Sequence, residues 1–306
     1  MALKIILIGA TGQLGRALRL SLASAGVVIP LSRDQLDLTK LETLSGILTK
    51  IEPDVIVNAA AYTKVDEAEC NLRLTRLINF EAVKIIADYA FHKNILLIHY
   101  STDYVFDGLK TKAYTESDAE NPLNVYGETK QQADQAIRNS GCRHLIFRIS
   151  WVYSEYKTNF LDKIIQLLMT RQTLEVVNDQ NGSPTNVHMI AAVTAECINK
   201  YVTFSQSERD RFQGLYNLSS DGQVSRYEFA KFIQKELKVF SDWSFVENRL
   251  IIPVSSEYFE TAAKRPNYSV LNCKKIKKNF GISLANWEIQ AAKYVRGVPL
   301  RKNDET

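Results

Sequence analysis

Four times in this chain a tyrosine stands four residues before a lysine: Tyr89/Lys93, Tyr126/Lys130, Tyr153/Lys157 and Tyr227/Lys231. On a helix that spacing puts phenol and ammonium on one face. The chemistry available to such a pair is proton transfer. A free phenol, with a pKa of about 10, exchanges its proton poorly near neutrality. A neighbouring ammonium favours the phenolate and is expected to lower that value. A third group, a hydroxyl that fixes the reacting oxygen, completes the set. The stretch "HYSTDYVFDG" (99–108) offers Thr102, flanked by Ser101 and Asp103. Hydride delivery to a carbonyl builds negative charge on oxygen. Thr102, Tyr126 and Lys130 are the trio that this reaction requires.

The bare tyrosine–lysine pattern does not select one pair, but the surrounding elements do. Apolar runs "LKIILI" (3–8), "VVIPL" (27–31), "DVIVN" (54–58), "ILLIHY" (95–100) and "HLIFRIS" (144–150) alternate with helical patterns such as 77–91. Continuous apolar strands between helices predict a parallel sheet covered on both faces. In such sheets ligands bind beyond the carboxyl ends of the strands, where Thr102 falls. Tyr126/Lys130 follows that strand end and opens the next helix, between Asn121-Pro122 and Gly141. Tyr89/Lys93 precedes the same strand and belongs at the far edge.

"GATGQLG" (9–15) directly follows the first strand and opens a helix. Glycines at this spacing permit a tight turn and bring backbone N–H groups to a pyrophosphate, with the helix N-terminus adding partial positive charge. Gly9, Gly12 and Gly15 are therefore candidate dinucleotide contacts, with Thr11 in the same turn. At the end of the second strand, NAD enzymes carry an acid for the ribose hydroxyls. Here the chain reads Ser32-Arg33-Asp34. Arg33 offers a planar partner for a 2′-phosphate, which points to NADP(H). Asp34, one residue later, leaves NAD as the alternative.

The fold expected is α/β: a Rossmann-type doubly wound parallel sheet over 1–150, with 170–204 returning to it, and a smaller mixed α/β substrate domain over 151–306. The chain has 306 residues, 45% apolar, with 38 basic against 34 acidic side chains and a formal charge of +4. That balance is too mild to argue for a nucleic-acid polymer. No apolar run approaches the roughly 20 residues needed to span a bilayer. Cys70, Cys142, Cys197 and Cys273 lie far apart, which suits reduced thiols and a cytoplasmic location. The four histidines show no metal-ligand spacing, and no metal is expected. His99, inside an apolar strand, reads as a hydrogen-bonded structural imidazole. The lysines at 274, 275, 277 and 278 read as a solvated helix face.

"GATGQLG", "STDYVF" and "YGETK" resemble the extended short-chain dehydrogenase/reductases. "LDLT" (36–39), "PDVIVNAAAYTKVDEAE" (53–69), "RISWVY" (148–153), "DQNGSPT" (179–185) and "RPNYSVLN" (265–272) narrow the resemblance to the dTDP-4-dehydrorhamnose reductase group, over nearly the whole chain. The resemblance implies NADPH-dependent reduction of the C4 ketone of dTDP-4-dehydro-β-L-rhamnose. It implies that Tyr126 is the proton donor and that Lys130 holds the nicotinamide ribose. Thr102 and Asp103 would contact the sugar, with Trp151 packed against it and Arg265 meeting the nucleotide diphosphate. Gly12, Gln13 and Leu14 would contact cofactor phosphates. Asp37 and Leu38 would flank adenine, and Ala60, Ala61 and Tyr62 would line the cofactor cleft. Asp66 and Glu69 read as acids supporting a helix N-terminus. Asn79 reads either as a water holder near the lysine or as plain helix capping.

Two departures stand out. Ala17 occupies a position where some members carry a glutamate that bridges a dimer through a metal, so a homodimer stays open but without such a bridge. Arg226 stands where the family often has tryptophan, which leaves another nucleotide-linked 4-keto-6-deoxysugar as an alternative substrate. A non-catalytic NADP-binding module, resembling the regulatory subunit of methionine adenosyltransferase, is the alternative outside enzymes.

Overall fold

The computed structural model describes residues 2–156, 159–239 and 241–303; Lys157, of the third tyrosine–lysine pair, lies outside the described residues. All five strands expected in the first half form: β1 (Leu3–Ile8), β2 (Gly26–Leu31), β3 (Val55–Asn58), β4 (Leu96–Thr102) and β5 (Arg143–Ile149). Between them run α1 (Gln13–Ser21), α2 (Leu41–Ile51), α3 (Val65–Cys70), α4 (Leu72–Arg76), α5 (Ala82–Lys93) and α6 (Val125–Ser140). The later chain adds β6 (Val152–Tyr153), α7 (Phe160–Thr170), β7 (Thr173–Val177), β8 (Asn181–Gly182), β9 (Thr185–Asn186) and α8 (Val187–Thr203). It continues with α9 (Gln206–Phe212), β10 (Gly214–Asn217), β11 (Val224–Ser225), α10 (Arg226–Leu237), β12 (Leu250–Val254), α11 (Lys274–Phe280) and α12 (Trp287–Asn303).

Six of these strands form one sheet in the order β10-β5-β4-β3-β1-β2. Each pairing in it is parallel. The apolar runs explain why. Successive side chains of a strand face opposite ways, so a strand buried on both faces has no polar alternation. In β1, Ile5 and Leu7 join a core with Leu14, Ala17 and Leu18 of α1 and Ile190 and Ala191 of α8. Ile6 and Ile8 join the opposite core with Leu44 and Leu48 of α2, Ile86 of α5 and Ala133 and Ile137 of α6. β2 lies on one side of β1 and β3 on the other. The chain thus reverses its direction of winding at β1/β3, and a crevice opens beyond their carboxyl ends.

The second half does not divide at residue 150. β7 pairs in parallel with β12, away from the large sheet. Its Leu174 and Val176 pack with Leu161, Phe229 and Trp287 in a third core. Within 170–204, only α8 returns to the Rossmann-type layer. Further on, β10 extends the large sheet beside β5, and Ile276 and Phe280 of α11 enter its core. A short apolar run identifies a strand but not its neighbour. Among the described residues, no helix is long and apolar enough to cross a membrane.

Candidate active site

The turn after β1 is shaped by close backbone approach. Gly9 has φ +78°, and a Cβ there would lie 2.7 Å from the Ala60 nitrogen. A Cβ on Gly15 would collide with the Gly9 carbonyl, whereas Gly12 faces more open space. α1 starts after Gly12 with no side-chain cap, so its first N–H groups remain available. The cleft beside it encloses about 620 Å³ and is lined by Gly9, Thr11, Gly12, Gln13, Leu14, Ala60 and Ala61 on one side. Thr102, Asp103, Tyr126, Lys130 and Trp151 line the other.

The candidate proton-transfer residues meet because of two local features. Asn124 caps α6 by accepting a hydrogen bond from the Gly127 nitrogen at 2.8 Å. Gly127 has no room for a Cβ against the Tyr104 carbonyl, so α6 rests on the turn that follows Thr102. The glycine of "YGETK" thereby brings Tyr126 to Thr102, which hydrogen-bonds it. The other tyrosines of the pattern lie elsewhere. Tyr89 is buried on α5 in the second core. Tyr153 packs edge-on against Tyr294 at 5.3 Å. Tyr227 has Lys231 over its ring at 5.6 Å.

Lys130 is 1% exposed. Its Nζ lies 2.9 Å from Nε2 of His99, and His99 Nδ1 lies 3.3 Å from Asn58 Nδ2. Burial pulls the Lys130 ammonium down to about 8, partly offset by the Asp134 carboxylate. Burial also drives His99 well below the usual imidazole range, so the ring is neutral. Tyr126 departs from expectation: burial pushes its phenol up, and the contact with the Thr102 side chain offsets this only in part. Asp103 and Asp134 add to the rise, and the lysine amine is engaged by His99. Asp103 is likewise raised by burial, although Ser150 donates to it at 2.8 Å and Thr102 at 3.2 Å.

Trp151 adopts a left-handed backbone conformation, φ +42°, which is costly for a bulky residue. Its ring lies against Gly182, where a Cβ would collide with it. Arg226 covers the ring at 4.2 Å and donates to the Gln180 side chain at 2.9 Å. Arg226, Asn159 and Phe160 also line a second cleft of about 1070 Å³, together with Lys163, Lys264 and Arg265. Arg265 reaches Asp66 at 2.6 Å. Asp66 therefore clamps two segments in addition to standing in the first turn of α3. Glu69 accepts from the Val125 nitrogen at 2.9 Å and anchors the start of α6.

The remaining candidates separate. Arg33 and Asp37 line a hollow of about 350 Å³ beside β2, with Lys40 and Gln35. Leu38 is buried in the second core, and Gly15 serves helix–turn packing. Tyr62 stands off the cleft wall, with its nitrogen donating to Asn79 at 2.7 Å and its hydroxyl to Glu67 at 3.1 Å. Asn79, fully buried in a π-helical turn Leu77–Glu81, also donates to Thr129 and so clamps the 60–62 segment to α6. The lysines of α11 divide: Lys275 donates to the Leu215 carbonyl at 2.7 Å and Lys277 meets Asp221 at 2.6 Å, whereas Lys274 and Lys278 are exposed, as a solvated face requires. Sequence reasoning passed over Lys40, Asn58, Asn159, Phe160, Lys163 and Lys264. A polar residue ending a buried strand, as Asn58 does, was the one available signal.

The family model described as RmlD substrate binding domain matches residues 3–298. A dTDP-4-dehydrorhamnose reductase of Burkholderia thailandensis is 37% identical over 299 residues, covering 96% of this chain and 98% of its own length. One of Salmonella typhimurium is 38% identical over 291 residues, covering 94% and 95%. Among solved structures, a dTDP-4-dehydrorhamnose reductase from Bacillus anthracis in complex with NADP superposes with a TM-score of 0.84 at 31% identity, covering 96% of this chain and 99% of that one. A match that runs through the sheet, the cleft wall and the third core alike leaves one assignment: the chain belongs to the RmlD substrate binding domain family.

Proposed function

We propose that the protein is an NADPH-dependent reductase that converts the C4 ketone of dTDP-4-dehydro-β-L-rhamnose to the alcohol of dTDP-L-rhamnose. The observation that carries this reading is the convergence of Thr102, Tyr126 and buried Lys130 on the wall of a cleft whose opposite wall is the uncapped start of α1. The residues fit a phosphorylated dinucleotide. Free N–H groups at Gln13 and Leu14 suit a pyrophosphate. Arg33 and Lys40 share one hollow and suit a 2′-phosphate. The bound cofactor supplies the hydride.

The side chains supply the rest. Tyr126 keeps its proton because burial raises its phenol, so it stands ready as an acid toward a carbonyl oxygen gaining charge. Thr102 orients the phenol and the substrate oxygen. Lys130, held at the cleft wall, would hold the nicotinamide ribose of the bound cofactor. Trp151 and Arg226 shape the sugar end, and Lys163, Lys264 and Arg265 give the adjoining cleft the charge to hold a nucleotide diphosphate. The four cysteines are free, in keeping with a cytoplasmic enzyme, and a homodimer would form without a metal bridge at Ala17.

The test is NADPH oxidation on a panel of dTDP- and UDP-linked 4-keto-6-deoxysugars, with product stereochemistry read by NMR. Turnover is expected with dTDP-4-dehydro-β-L-rhamnose, and Tyr126→Phe should lower kcat by about 10²–10⁴-fold with NADPH binding intact. Binding without oxidation of any sugar would refute the enzyme reading, and preference for another sugar would refute the substrate.

A further inference from the structure

Asn159, Phe160 and Arg226 line both clefts of the molecule, and their chemistry is unequal. Asn159 is spent locally: it caps α7 by accepting from the Leu161 nitrogen at 3.0 Å, and its amide donates to the Ser154 carbonyl at 2.7 Å. Phe160 offers only a ring. Arg226 alone of the three carries a charge. Its guanidinium lies over the Trp151 ring at 4.2 Å and over the Phe160 ring at 5.0 Å. Its Nε donates to the Gln180 side chain at 2.9 Å, and its backbone N–H to the Gln180 carbonyl at 3.2 Å. Gln180 is itself buried. The hydroxyl of Tyr104, in the turn after Thr102, contacts the guanidinium groups of both Arg226 and Arg265.

These neighbours fix the cation without neutralising it. Two rings, an amide and a phenol hold the guanidinium, and contact with the ring faces uses none of its in-plane donors. The acids nearby are engaged elsewhere. Glu228, in the same turn of α10, accepts from Ser225 at 3.0 Å; Asp66 pairs with Arg265; Asp103 accepts from Ser150 and Thr102. Glu257 and Glu260 of the second cleft are exposed to solvent. Among the described residues, Arg226 has no carboxylate partner. A half-buried, immobilised cation without a counter-charge stands at the junction of the two clefts.

We infer that Arg226 grips the phosphate bonded to the sugar, and so selects substrates whose sugar hangs from a nucleoside diphosphate. This deepens the function proposed above and rests on it. The covalent order of such a substrate makes the argument. C4 and C1 stand at opposite ends of a pyranose ring. With the C4 ketone at Thr102 and Tyr126, C1 and the phosphate it carries point away from them. The nucleotide then continues into the cleft of Lys163, Lys264 and Arg265. The sugar-linked phosphate therefore crosses from one cleft to the other, where Arg226 is the shared charge. A planar guanidinium suits two phosphate oxygens at once. Lys163 and Lys264 are exposed, and Arg265 is already partnered by Asp66, so none of them offers an equally fixed, unpaired fork. The grip holds before and after hydride transfer alike, so it acts on binding and specificity rather than on the rate of the chemical step.

The experiment is calorimetric titration of the full chain, saturated with NADP, with dTDP and with dTMP. The terminal phosphate of dTDP is the one that bears the sugar in the substrate, and dTMP lacks it. Wild type should bind dTDP about 10-fold or more tighter than dTMP. Arg226→Gln keeps a polar side chain and removes the charge. It should weaken dTDP by about 10-fold or more and leave dTMP and NADPH within a few-fold. In steady-state assays KM for the nucleotide sugar should rise with the dTDP constant while kcat holds. Arg226→Lys, a charge without the fork, should recover only part of the dTDP affinity. Unchanged dTDP binding in Arg226→Gln, equal losses for dTDP and dTMP, or a fall in kcat at constant KM overturns the inference. Should Arg226→Gln not fold, Arg226→Lys decides, and full dTDP affinity there overturns it. A wild type that reduces no sugar, with dTDP binding still lost in Arg226→Gln, counts against the reductase and leaves the phosphate grip standing. Turnover of the nucleotide sugar with dTDP binding indifferent to Arg226 counts against the grip alone.

Discussion

Lys130 illustrates how a residue suited to a reaction is a burden to the fold. Its ammonium falls from the ordinary 10.5 to about 8 on burial, so between those values the unfolded chain binds more protons than the folded one. Wild-type stability should therefore rise with pH across that window, with the full penalty below it. A shift of this size corresponds to about 3 kcal/mol. Lys130→Met removes the charge and keeps the stem. Its advantage over wild type in urea unfolding should be largest at pH 7 and shrink by roughly that amount toward pH 10.5; a difference independent of pH would contradict the depressed lysine. Arg33 is the opposite kind of residue, its side chain 74% exposed and facing Asp37 at 3.7 Å. Arg33→Ala should lower kcat/KM for NADPH by about 10-fold or more, a contact to a charged group being worth about 1.5–3 kcal/mol, and leave NADH unchanged. Equal losses with both cofactors would place the 2′-phosphate elsewhere.

α6 holds the residues proposed for proton transfer, and how it begins sets their place. Asn124 caps the helix with its oxygen and holds the Lys264 carbonyl with its amide, at 2.8 Å each. One side chain thus sets both the start of the helix and its distance from the second cleft. Asn124→Ala should cost about 1–2 kcal/mol in denaturant unfolding. It should also raise KM for the nucleotide sugar more than Kd for NADPH, because the lost anchor faces the sugar side. A purely structural cap would leave the two in proportion. The helix was legible in the sequence from its spacing and its closing Gly141, which adopts φ +74°. Asn121-Pro122 marks the start of the helix region, and the cap itself is Asn124, three residues after Asn121. Burial raises the Tyr126 phenol, where a neighbouring ammonium together with an oxidised nicotinamide is expected to lower it. The spacing showed that Tyr126 and Lys130 share a face, but not that His99 from β4 engages the amine.

Across the whole molecule, the clamp between Asp66 and Arg265 joins the Rossmann-type half to the wall of the second cleft. Arg265→Met should raise KM for the nucleotide sugar by about 10-fold or more while Kd for NADPH stays within a few-fold, since only the former site loses a charged donor. Parallel changes in both constants would show the arginine to be a structural strut. The sequence by itself determined the parallel sheet and the glycine turn, and it set Tyr126 apart from the other three tyrosines by its place after the β4 end. Strand burial, glycine geometry and helical spacing are local, and they leave a periodic trace. Only the tertiary structure decided that β7 pairs with β12, that β10 joins the large sheet, and that Arg226 covers Trp151. It alone placed Asn58, His99 and Lys130 in one line. These contacts join segments from different strands and helices, and their strength comes from desolvation and from the sharing of scarce donors and acceptors. Both depend on which segments the fold brings together, and no spacing along the chain records that.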